Sequence, residues 1–350
     1  MKVQDAVRNS WALQPLIRPI RAFRRLKRRQ IKRHRASLLA KSLDCTGQEA
    51  HDHIRALVES DKSVMVCRFG RDELLSTLQY GRLVASYTKG HRYDPLSYPV
   101  LFEDLRFRSG VFPATADHVA RFYHRMMADI LEVDVLGSWL VEELELNQQL
   151  EGATRVELHD LDPIIRTPAR PWTGALKGKR VLVVHPFDRS IRAQYAKREL
   201  LFEHPEILPE FELLTLRAVQ NPAWLAAGTL EAESSGDAAP EGEFGSWFEA
   251  LEHMEREIAA MDFDVAIIGC GAYGLPLAAH VKRLGRKAVH LGGITQMLFG
   301  IKGERWLDLY GFTGHNEHWV FPLPEETPKD AARMGDGGPY WGDGKGAPST

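Results

Sequence analysis

The sequence predicts an α/β protein: a doubly wound, mostly parallel sheet with helices on both faces. Three observations carry this. Short apolar runs without polar alternation recur at residues 63–67, 179–184 and 265–268, and strands covered on both faces read that way. Each run passes into a turn containing glycine, proline or charged residues, and then into residues with helical spacing. Strands alternating with helices give parallel pairs joined by crossovers.

Composition sets the outer limits. With 350 residues the chain can bury a sizeable core. A formal net charge of −2 gives no bulk electrostatic case for nucleic acid. The three cysteines, Cys45, Cys67 and Cys270, lie far apart and form no C-x-x-C. That excludes a zinc knuckle and a disulfide scaffold, and fits a reducing cytoplasm. The N-terminus lacks the apolar core of a secretion signal, and no apolar run is long enough to span a bilayer.

In chain order, four segments are expected: a basic leader helix (1–45), an N-terminal α/β half (46–176), a C-terminal Rossmann-like half (177–321) and an extended tail (322–350). Residues 18–35 of the leader are intensely basic, with Ile20, Phe23, Leu26 and Ile31 interleaved at roughly helical spacing. Such a helix suits an anionic membrane surface; a nucleic-acid arm and a solvated helix are the other readings. In the N-terminal half, a helix over 46–59 and the strand 63–67 lead into the turn Arg68-Phe69-Gly70-Arg71-Asp72-Glu73. Leu74, Leu75 and Leu78 then open a helix. Gly81, Gly90, Pro95 and Pro99 mark 80–110 as mostly loop. Helices are expected over 114–131 and 133–150, the second with Trp139 on its apolar side, where it serves the core or stacks on a base or sugar. Residues 151–176, rich in proline and arginine, read as a connector.

The C-terminal half restarts with a strand ending at His185-Pro186-Phe187, then a helix over 190–202 with Ser190 as N-cap. A short strand at 212–216, an acidic Ser/Gly/Ala-rich loop at 226–245 and a helix over 246–261 follow. In the tail, Tyr340-Trp341 is the strong apolar anchor.

The chain's organising unit is residues 264–293. The run Val265 to Ile268 enters Gly269-Cys270-Gly271-Ala272-Tyr273-Gly274, a G-x-G-x-x-G turn. A helix with Leu275, Leu277, Ala278, Val281 and Leu284 on its apolar face follows, then a strand at 288–291 ending in Gly292-Gly293. Such a turn aims backbone amides and a helix N-terminus at an anion. A nicotinamide dinucleotide would require an acid after the second strand, where this chain has Val289-His290-Leu291-Gly292-Gly293. Elsewhere on the expected carboxyl edge, Arg68 offers a planar fork for a diphosphate. Glu73 suits a divalent metal or a proton-accepting role. His185 suits phosphate contact or base chemistry, or a structural bond to backbone. Lys302 and Arg305, just past a strand end, suit phosphate neutralisation or simple solvation.

With these motifs in place, the chain resembles bacterial GT-D fold glycosyltransferases, and is similar to the GT-D-like proteins associated with surface-polysaccharide synthesis. The resemblance spans roughly residues 50–341. It rests on Arg68-Phe69-Gly70-x-x-Glu73, His185-Pro186-Phe187, the unit 264–274 and His290-Leu291-Gly292-Gly293. With the cysteine usage and the basic leader, the expected protein is a cytoplasmic glycosyltransferase, peripheral at the inner membrane face, that moves a sugar to a glycan or lipid-linked glycan. The resemblance implies a Rossmann-like core and a nucleoside-diphosphate sugar as donor. It also implies a divalent metal, manganese or magnesium, near a D-x-E motif within R-[FY]-G-D-G-E. Carried over, Arg68, Phe69, Gly70 and Glu73 match, whereas Arg71 stands where the first acid belongs and Asp72 is displaced by one position. On a helix that step turns a side chain by about 100°. The expected site comprises Glu73, Asp72 and His185 for chemistry, with either Glu73 and Asp72 as metal ligands or Arg71 or Lys302 supplying the positive charge at the departing diphosphate in a metal's place. Arg68, Phe69, Gly70, Gly269, Gly271, Tyr273, Gly274, Gly292, Gly293 and Lys302 are the donor-binding set. Two other classes stay open: a non-catalytic nucleotide-sugar-binding or scaffold protein, and an NAD-dependent oxidoreductase.

Overall fold

The structure is a computed structural model. It describes residues 33–88, 104–220, 244–304 and 312–328, with Lys27, Gln30, Ile31, Leu101, Trp306 and residues 340–342 besides. Most of the basic run, most of the acidic loop at 226–245, Arg305 and much of the tail lie outside the described residues.

Seven parallel strands make one sheet. In chain order they are β1 (Val64–Cys67), β2 (Val135–Ser138), β3 (Thr154–Glu157), β4 (Arg180–His185), β5 (Glu212–Arg217), β6 (Val265–Ile268) and β7 (Lys287–His290). Their order across the sheet is β3-β2-β1-β7-β6-β4-β5. The two halves of the chain join where Val66 of β1 pairs Val289 of β7. After β4 the chain moves outward to β5, whereas after the neighbouring β6 it moves inward to β7. Neighbours that send their connections in opposite directions open a crevice above their carboxyl ends.

Residues 33–40, the described end of the basic leader, are helical. Further along the chain lie the helices α1 (Gln48–Glu59), α2 (Arg71–Thr88), α3 (Ala116–Ile130), α4 (Asp188–Tyr195), α5 (Trp247–Ala260), α6 (Gly274–Arg283) and a single turn, α7 (Thr295–Leu298). Side chains alternate across each strand and so feed two cores. Met65, Cys67, Leu182, Val184, Ala266 and Ile268 pack with α2, α3, α5 and α6 on one face. Val64, Val66, Val181, Val183, Val265 and Ile267 pack with α1, α4, Trp172 and Phe299 on the other. This is the doubly wound arrangement expected, and within it all strand pairs are parallel.

Several local expectations are corrected. Residues 133–150 do not form one helix: they hold β2 and a 3-10 turn, Val141–Leu146. Asp134 explains why, since its carboxylate accepts the Met65 N–H at 2.8 Å while its own N–H donates to the Met65 carbonyl at 3.0 Å. Docking on β1 thus overrides a helical spacing. The connector at 151–176 contains β3, paired to β2 from Thr154 to Glu157. Residues 80–88 continue α2, and Asp104–Arg108 forms a π-helical turn rather than loop. Ser190 lies inside α4 and is no N-cap; it is buried and meets Glu326, from the tail.

Candidate active site

The carboxyl ends of all seven strands open onto one cleft of about 400 Å³. After β1 the chain contributes Arg68, Gly70, Arg71, Asp72 and Glu73; after β4, His185 and Phe187; after β6, Gly269 to Tyr273; after β7, Gly292, Gly293 and Gln296. The glutamate turn and the glycine turn, far apart in the sequence, share this space because β1 and β6 flank β7.

Gly70 precedes the first turn of α2, and the Leu74 N–H donates to its carbonyl at 3.0 Å. Asp72 and Glu73 stand in that first turn, where the helix dipole favours negative charge. The Glu73 carboxylate folds back over Gly70, into space that a Cβ there would occupy. Burial dominates its titration and pushes it up to about 7; Asp72 adds to the rise, while its own backbone N–H, Arg68 and Ser109 oppose it. Near neutral pH this half-buried carboxyl both gives and accepts a proton. Asp72 sits 3.6 Å from an Arg71 nitrogen and 3.8 Å from one of Arg108.

Arg68 reaches back over the sheet edge. Its guanidinium lies 4.9 Å from the Trp139 ring centroid, and its Nε and Nη2 donate to the Phe69 carbonyl at 3.3 and 3.2 Å. Trp139, just past β2, donates its Nε1–H to the same carbonyl at 3.0 Å. It is held in turn by the buried Glu143, whose Oε1 accepts the Trp139 and Leu140 amides. The sequence reading placed Trp139 on a helix and missed this; Gly137-Ser138 closing a short apolar run was the available signal.

In the glycine turn, Gly271 has φ +58° and open space above its α-carbon, the left-handed geometry that glycine tolerates. Gly269 is pressed against Thr295 and the Gly292 carbonyl. Tyr273 stacks on Trp247 with ring centroids 5.0 Å apart and planes 6° apart.

Three members of the expected binding set fall elsewhere. Phe69 is fully buried in the core beneath the cleft. Gly274 opens α6 and makes room for the His290 ring rather than for a ligand. Lys302 is not among the cleft's lining residues, and its N–H and carbonyl are used by Val320 and Gln296.

Two buried imidazoles line the cleft with opposite polarity. His185 Nδ1 accepts the Phe187 N–H at 3.0 Å, and burial lowers its pKa to about 3. A neutral ring bonded in this way carries its proton on Nε2, so His185 offers a donor and not a base. His290 has its Nδ1 3.1 Å from the Ile268 carbonyl, which only accepts, and burial with Arg68 nearby lowers its pKa to about 4. Its Nε2 is therefore an acceptor. The sequence reading assigned His290 no role, nor any to Gln296, Arg108, Trp306 or the cleft-facing side of Tyr340.

Among the described residues no group of three or more His, Cys, Asp and Glu side chains is placed to hold a metal ion. The donor set around Glu73 does not fit a divalent cation either, because Asp72, the carboxylate beside it, already faces two guanidinium groups. Two carboxylates with two arginines beside them make a poor site for a hard ion that takes six or more oxygens.

The chain was compared with protein-family models, with curated proteins and with solved structures. None matches.

Proposed function

We propose that the protein is a glycosyltransferase that moves a sugar from a nucleoside diphosphate to a glycan or lipid-linked glycan. The observation that supports this is the meeting of Arg68, Glu73, the 269–273 turn and Gly292-Gly293 in one cleft. Sugar transfer leaves a diphosphate whose growing charge must be stabilised while the acceptor hydroxyl loses a proton. Arg68, Arg71 and Arg108 line the cleft as cations for the diphosphate, together with the amides of the glycine turn. Glu73, with its pKa near neutrality, takes the acceptor proton. Arginine charge here takes the part that a metal plays in related chemistry, and no step runs through a metal.

Action in the cytoplasm, with the basic leader resting on the anionic inner membrane face, completes the proposal; no helix among the described residues is long and apolar enough to cross a membrane. A second reading, a nucleotide-sugar-binding scaffold, draws on one observation, the arginine at the position of the first acid. One experiment separates them: nucleotide-sugars are incubated with the full chain, with and without manganese, and nucleoside diphosphate release is followed alongside thermal stabilisation. Release or transfer supports the enzyme; stabilisation with no turnover under either condition supports the scaffold. Stabilisation by NAD and by no nucleoside diphosphate would reject both.

A further inference from the structure

The cleft has two chemically different ends. Every charged side chain lining it comes from the turn after β1 or from Arg108. The other end is neutral and aromatic, walled by Phe187, Trp306, Tyr340 and Trp341. These rings adjoin one another: Phe187 lies 6.0 Å from Trp341, Tyr340 lies 6.0 Å from Trp341 at 88°, and Trp306 lies 6.4 Å from Tyr340.

Two polar groups at this end are held in a fixed orientation. The fully buried Gln296 commits its Nε2 to the carbonyls of Lys302 at 2.9 Å, Tyr340 at 3.3 Å and Ile301 at 3.4 Å. Its amide cannot be turned round without losing them. Oε1 is thereby locked as an acceptor, and it has no partner among the described residues. A buried acceptor left unmet costs free energy, so its retention on a cleft wall points to a donor supplied by a ligand. His185, whose ring is 4.8 Å from Phe187, presents its Nε2–H on the same wall.

On the strength of the proposed function, we infer that this aromatic end is the nucleobase subsite of the donor, with Tyr340 as stacking surface and Gln296 Oε1 and His185 Nε2–H reading the base edge. A nucleobase presents flat π-faces and, on one edge, a donor beside an acceptor, which is the complement of this wall. A sugar ring lacks the flat faces, and the diphosphate belongs at the arginine end.

The test is isothermal titration of the full chain and of Tyr340→Leu with inorganic pyrophosphate and with uridine, guanosine, adenosine and cytidine diphosphates. The best nucleotide is also titrated in its base-N-methylated form. Expected are at least one nucleoside diphosphate binding tenfold or more tighter than pyrophosphate, and a loss of about tenfold for that nucleotide in Tyr340→Leu, with pyrophosphate unchanged within twofold. N-methylation, which removes a donor without touching the protein, should weaken wild-type binding by a similar factor. If no nucleotide binds tighter than pyrophosphate, or if Tyr340→Leu weakens both equally, or if methylation has no effect, the base subsite is overturned while the phosphate end stands. If neither pyrophosphate nor any nucleotide binds, the proposed function itself falls.

Discussion

At Glu73, burial and charge oppose each other and burial wins, holding the carboxyl near pH 7 instead of its usual 4.5. The native state thus binds this proton more tightly than the unfolded chain does. The resulting contribution to stability is fully present below about pH 4.5 and is lost as pH rises through about 7. Glu73→Gln keeps the shape and removes the titration. Urea unfolding should therefore show the variant about 2 kcal/mol more stable than wild type at pH 8, with no advantage at pH 4.5. Activity moves the other way. Transfer by wild type should rise through about pH 7 as Glu73 ionises, and Glu73→Gln should lower kcat by about a hundredfold or more. A wild-type rate that is flat from pH 6 to 8 would remove Glu73 from the chemistry. Gly70 offers a finer probe. A Cβ there meets only the movable end of Glu73, and the backbone is not left-handed. Gly70→Ala should stay within about 1 kcal/mol of wild type in stability, yet lose activity as Glu73→Gln does.

Among elements, the unit of β6, glycine turn, α6 and β7 shows how one motif divides its labour. Gly271 serves the turn through its positive φ, Gly269 allows close approach of backbone, and Gly274 serves packing against His290. A ligand motif read from spacing alone gives all three the same meaning. Gly274→Ala should force the buried His290 ring from its bond to Ile268 and destabilise by about 1–3 kcal/mol, measured by thermal unfolding. The effect separates packing from ligand contact because Gly274 does not line the cleft. β2 is a second case. Its run, read by period, suits a helix, and only the pairing of Val66 with Val135 and the bonds of Asp134 make it a strand. Trp139 reaches Arg68 as a consequence of that pairing.

For the whole molecule, the tail closes the architecture. Glu326 is buried and accepts the Arg189 N–H at 2.7 Å and the Ser190 N–H at 3.2 Å, supplying α4 with the cap that the local sequence lacks. Trp341 Nε1–H donates to the Glu326 backbone carbonyl at 3.1 Å, so the segment that caps α4 also holds one wall of the cleft. Glu326→Ala leaves the first turn of α4 without its acceptor. Its stability should fall by about 2 kcal/mol, and the thermal shift produced by the preferred nucleotide should shrink along with it. A stable variant with unchanged nucleotide response would mean that the tail is not part of the site.

The sequence by itself determined the strands β1, β4 and β6 and their turns, because an apolar run covered on both faces and a glycine where the backbone must turn are local properties. It also carried Arg68, Gly70, Glu73, His185 and Gly271 to the edge of the sheet, since residues just past a parallel strand have only that edge to occupy. Strand order it could not fix, for it depends on which distant segments pair, and local periodicity carries no record of that. The tertiary structure alone decided that β7 lies between β1 and β6, that Phe69 and Gly274 serve packing, and that Trp139, Gln296 and Tyr340 face the cleft. A side chain's neighbours come from the far reaches of the chain, and only folding brings them together.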